Sequence, residues 1–62
     1  MKIIQIDNFG KESVSDILIA RDVNDTYVKM ITMFLNQSFS GIHSDLYFRA
    51  VGDDYKLYKY KP

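Results

Sequence analysis

Asn24-Asp25-Thr26-Tyr27-Val28-Lys29-Met30-Ile31-Thr32-Met33-Phe34-Leu35-Asn36-Gln37-Ser38 is the stretch on which the fold turns. At roughly 100° per residue, Tyr27, Val28, Met30, Ile31, Phe34 and Leu35 fall on one wide arc, with Lys29, Thr32 and Asn36 on the opposite side. Asn24 or Asp25 can cap the free amides of a first turn, and Asp25 suits the positive end of the helix dipole. Ser38 to Gly41 ends the run, with Gly41 suited to a left-handed residue after it. The spacing therefore predicts a helix over about 25–38, with its apolar arc turned towards a partner layer.

Outward from the helix, the flanking segments read as strands. Lys2-Ile3-Ile4-Gln5-Ile6 places three isoleucines in five positions, and Asp7 to Lys11 collects turn-forming residues. Residues 14–23 are ambiguous. Ser13 and Asp16 resemble a capping box, and Val14, Ile17 and Leu18 fit helical spacing. The short β-branched run Ile17-Leu18-Ile19-Ala20 favours a strand over roughly 16–21 instead. After the helix, Leu46–Val51, a Gly52-Asp53-Asp54 turn and Tyr55–Tyr60 have the pattern of a β-hairpin.

The expected fold is α+β in β-β-α-β-β order: a two-layer, mostly antiparallel four-stranded sheet with the helix packed on one face. Alternation can place Ile4, Ile6, Ile17, Ile19, Leu46, Phe48, Tyr55 and Leu57 under the helix. Parity stays open in the first two strands, because Ile3 and Leu18 lie on the other side. The second face then presents Tyr47, Arg49, Val51, Lys56, Tyr58 and Tyr60 with no helix left to cover it.

Composition narrows the function classes. The 62 residues suit one domain, residues 1–62, and about 60% of the unfolded surface can be buried at this length. With 47% hydrophobic residues, the chain is apolar enough to fold. The absence of cysteine excludes a disulfide scaffold and a thiolate zinc site. Eight Lys/Arg balance eight Asp/Glu, so there is no global pull towards nucleic acid or an anionic membrane. No window approaches the ~18 apolar residues of a membrane span, and the first residues lack a signal-peptide core. The expectation is a complete, cytoplasmic reading frame of the kind frequent among bacterial and phage accessory proteins.

Candidate chemistry is sparse. Asp53 and Asp54 beside Gly52 fit a turn; paired catalytic carboxylates would need to face one cleft. Asp45 and His43 alone do not make a metal site. Gly41-Ile42-His43 resembles the Gly-Ser-His of HicA-type RNA-cleaving toxins in its glycine and histidine. The strand before the histidine, the following helix and the basic character of that family are missing. No phosphate-binding loop, nucleophile elbow or dinucleotide fingerprint occurs. No enzyme and no cofactor are expected.

Two surfaces suggest association instead. Tyr47, Arg49, Tyr58 and Tyr60 on the uncovered sheet face have the residue types that anchor protein interfaces. Met33 projects roughly 60° outside the helix arc and offers a second contact at its flank. The reading is a small protein-binding module, with a homodimer through this face adding the buried area that a short chain lacks. The alternative is weak single-stranded nucleic-acid binding through Lys56, Lys59 and Lys61, interleaved with tyrosines on the last strand. Lysine is also a usual protection of an edge strand against unwanted pairing.

Overall fold

The computed structural model describes residues 1–10, 12–39 and 45–61. Strand β1 (Lys2–Asp7), strand β2 (Ile17–Ala20), helix α1 (Val28–Phe39) and strand β3 (Leu46–Val51) follow one another along the chain. The strands form one antiparallel sheet in the order β2-β1-β3, with β1 central. The α+β class and the single helix layer agree with the sequence reading. His43 and Gly41 lie outside the described residues.

The sequence predicts four strands, and three are found among the described residues. Residues 55–60 carry no strand, and the reason lies at the edge they would have joined. The Asn8 N–H donates to the Asp45 carbonyl at 2.8 Å. That bond makes Asp7–Leu46, and by alternation Gln5–Phe48, non-hydrogen-bonded pairs of the β1–β3 ladder. The N–H and C=O of Phe48 therefore point off the free edge of β3, where a hairpin partner would pair. The Asn36 side chain occupies that place. Its Nδ2 donates to the Phe48 carbonyl at 2.9 Å, and its Oδ1 accepts from the Phe48 N–H at 2.8 Å. A turn closed by the Tyr55 N–H on the Gly52 carbonyl (3.1 Å) then sends the chain elsewhere.

Register sets the two faces of the sheet. Ile3 pairs with Ala50 and Ala20, and Gln5 with Phe48 and Ile17, all on the side of the helix. Ile4 pairs with Arg49 and Leu18, and Ile6 with Tyr47, on the other. The helix side thus takes the parity of Ile3, not of Ile4 and Ile6. A bulge between Ile3 and Ile4 leaves Ile19 as the extra residue of β2. Ile3, Val28 and Phe48 form the helix-side core, with Leu35, Leu46 and Ala50 packed around it.

Ile4 and Val51 are also buried, on the face away from the helix. Residues 55–61, without regular structure, run along that face as a strap, with Tyr55 and Tyr58 beside Ile6 and Arg49. Lys2 Nζ donates to the Tyr55 carbonyl at 3.3 Å near the start of the strap. Further along, Asp16 N–H donates to the Tyr58 carbonyl and Tyr58 N–H to Asp16 Oδ2, both at 2.8 Å. Tyr60 N–H donates to Ser15 Oγ at 2.9 Å. Asp16 is thus the main tie of the strap, just before β2.

The helix begins as its sequence suggests. Asn24 Oδ1 accepts from the Thr26 N–H at 2.8 Å, and the Asn24 carbonyl from the Val28 N–H at 3.0 Å. Asn24 is therefore the cap. Asp22 holds φ 56° in the turn between β2 and this cap, a left-handed conformation that Asp tolerates. Beyond the turn, Met1 and Val23 exchange two backbone bonds at 2.7 and 2.8 Å, which anchors the helix entry to β1.

Candidate functional site

The wide apolar arc of α1 is divided in the folded protein. Val28 is 1% exposed and Leu35 is packed against the core, but Tyr27 (53%), Met30 (62%), Ile31 (40%) and Phe34 (64%) face outward. Thr32, expected on the outer side, is buried. Its hydroxyl donates to the Val28 carbonyl at 2.7 Å, so it turns inward without an unsatisfied group. Asn36 is half-buried on β3, and Phe39 stacks edge-on to Phe48 with ring centroids 6.4 Å apart.

The rotation of the helix has one evident cause. Phe48 is buried, and an unpaired N–H and C=O at such a position cost about 1–3 kcal/mol each. Turning Asn36 inward satisfies both. Since Asn36 lies roughly 80° round the helix from Val28, the outward stripe lies on the side away from the β3 edge. The helix packs on β3 and β1 and, among the described residues, its backbone makes no close approach to β2. Ile17 of β2, on the same face of the sheet, is consequently half exposed. The result is an open apolar step: the flank of α1 above, the uncovered end of the sheet beside it.

Tyr27, Met30, Ile31 and Phe34 stand at i, i+3, i+4 and i+7, the spacing of a helix face that packs on another helix. No charged side chain belongs to the stripe; Lys29 sits on the Asn36 side. Met33, 59% exposed, borders it as the sequence suggested. The sequence does not single out the larger stripe, because helical spacing places its residues in the core. The inward position of Thr32 and Asn36 is a property of the β3 edge, which the helix sequence alone does not contain.

The four residues expected on the second sheet face are brought together only in part. Tyr47 and Arg49 lie on that face of β3, both exposed. Tyr58 and Tyr60 belong to the strap, where the Tyr58 hydroxyl donates to the Glu12 carbonyl. Arg49, Tyr55 and Tyr58 line an open recess of about 370 Å³ with Asp7, Glu12 and Asp16. The Tyr55 hydroxyl donates to Asp16 Oδ2 at 3.1 Å. Desolvation, then the Asp16 hydrogen bond and charge, raise the Tyr55 pKa above the ordinary value, against a smaller lowering by Arg49. These contacts fasten the strap. Lys56, Lys59 and Lys61 are exposed along it.

Among the described residues, no three His, Cys, Asp or Glu side chains are grouped to hold a metal ion, and no helix is long and apolar enough to cross a membrane. No protein-family model, curated protein or solved structure matches the chain.

Proposed function

We propose that this chain is a non-catalytic protein-binding module whose principal contact surface is the outward stripe of α1. One observation supports the reading above the rest: four large apolar side chains at helix-packing spacing, each at least 40% exposed, on a helix that already has a separate inner face. Soluble chains rarely leave a contiguous apolar patch of this kind without a partner. Aromatic and methionine side chains are the types enriched at such contacts. Tyr47 and Arg49 are a lesser candidate, because the strap has taken Tyr58 and much of the face beside them.

Single-stranded nucleic-acid binding has weaker support. Lys56, Lys59 and Lys61 are accessible to phosphate, but Tyr58 is fastened beside Asp16 and Glu12, whose carboxylates repel it. Such binding would give a low-salt gel shift lost in Lys56→Glu with Lys59→Glu.

The protein-binding reading is tested by affinity purification of tagged chain from its native host. Capture of a protein by the unmodified chain, lost with Met30→Glu and Phe34→Glu but retained with Tyr47→Ala, is the expected result. Equal capture by the stripe variants overturns it.

A further inference from the structure

We infer that the occupant of the α1 stripe is a second copy of this chain, docked through an antiparallel α1–α1 contact about a two-fold axis. The inference rests on the stripe being a protein-binding surface and goes on to name what binds. The chain exposes more surface than its mass requires. A compact monomer of 7.3 kDa is expected to expose about 4200 Å². This chain exposes 4819 Å². The excess, roughly 600 Å², approaches the ~800 Å² that each partner gives to a standard interface. The shape agrees: the Cα extents are 36 × 27 × 12 Å, a flat body with little depth of core. Ile3, Ile4, Val28, Phe48 and Val51 are the buried apolar side chains among the described residues. Chains of this size commonly gain the core they lack by association.

The stripe is also self-complementary. With the two-fold axis between Met30 and Ile31, Tyr27 of one copy meets Phe34 of the other, and Met30 meets Ile31. Every apolar side chain of the stripe then has an apolar counterpart, as an isologous contact requires. Charge does not oppose it. The stripe buries no ionised group, and the chain has zero formal net charge, so two copies do not repel at long range. Helix axes 8–10 Å apart, the usual packing range, would bring Ile17 of each copy towards the rim of the contact.

Sedimentation equilibrium of the full chain, from low micromolar to about 1 mM, tests the inference. A dimer is expected, with Phe34→Glu weakening it on the order of a hundredfold. Phe34 is exposed, so the variant should keep its helix by circular dichroism; Met30→Glu, also exposed, serves as a second variant. Orientation is read from cysteine variants, each unique in a chain without cysteine. A short bis-maleimide should join Tyr27→Cys to Phe34→Cys in a mixture far more than either to itself. A monomer throughout the range overturns the second copy as occupant; capture of another protein through the stripe would then leave the binding surface itself standing. A dimer that persists unchanged in both glutamate variants overturns the inference too, as does preferential joining of Phe34→Cys to itself.

Discussion

The two long sides of α1 invert the usual assignment of polar and apolar residues. The inner side holds Val28 and Leu35 but also Thr32 and Asn36, and the outer side holds Tyr27, Met30, Ile31 and Phe34. The inner polar groups are each satisfied, Thr32 within its own helix and Asn36 on the β3 edge. Hydrophobic periodicity alone favours turning the outer stripe inward. The orientation is decided by two backbone groups of Phe48 that need partners, and the outer stripe follows from that choice. A sheet shows a parallel contrast: its helix side is covered by regular structure, its other side by a strap held through Asp16.

The inner side of α1 is the more sensitive of the two to substitution. Val28→Ala should destabilise the chain by about 1.5–3 kcal/mol, read by urea unfolding, because it empties a fully buried contact against Ile3 and Phe48. Asn36→Ala should cost about 1–3 kcal/mol by the same measurement, since it strands the Phe48 amide and carbonyl at a partly buried edge that water can reach once the side chain is gone. Asn36→Asp should not restore stability, because a carboxylate accepts from the amide but cannot donate to the carbonyl. Thr32→Val should cost far less, its hydroxyl serving no group outside α1.

Milder effects sharpen the second contrast. Tyr55→Phe should cost about 0.5–1.5 kcal/mol at neutral pH by removing one hydrogen bond to Asp16. The folded pKa of Tyr55 is raised above 10, so its contribution is fully present below the unfolded value and is lost as pH climbs through the folded one. Unfolding followed through the alkaline range should show this loss, and Tyr55→Phe should reduce it. The smallest change is expected on the outer side of the helix. Phe34→Glu should alter stability by only about 0.5 kcal/mol, measured at low micromolar concentration. A large loss there would mean that Phe34 is part of the core.

Much of the fold is legible in the sequence. The isoleucines of β1, the β-branched run of β2, the alternation of β3 and the Asn24 cap all act through neighbours close in the chain. The strap is not legible, because Tyr55 to Tyr60 alternates like a strand and only the occupied β3 edge denies it a partner. Strand parity was equally hidden. Ile3 and Ile4 are both buried, one on each face, so the sheet has no exposed side at β1 from which to choose. Met33 is exposed beside the stripe, as its place outside the arc implies, while Phe34 and Met30 are hidden in the sequence by their own hydrophobicity. Tyr47 and Arg49 keep the sheet position that alternation gave them; Tyr58 and Tyr60 leave it with the strap.

The orientation of α1 depends on Asn36 reaching Phe48, and amide exchange at Phe48 reads that contact out. This N–H points off the edge of the sheet and has Asn36 Oδ1 as its acceptor. Hydrogen exchange followed by NMR should show the Phe48 amide protected in the native chain and rapidly exchanging in Asn36→Ala, with Ile3 still protected. Rapid exchange of Phe48 in the native chain, or protection that survives Asn36→Ala, would contradict the orientation and with it the outward stripe.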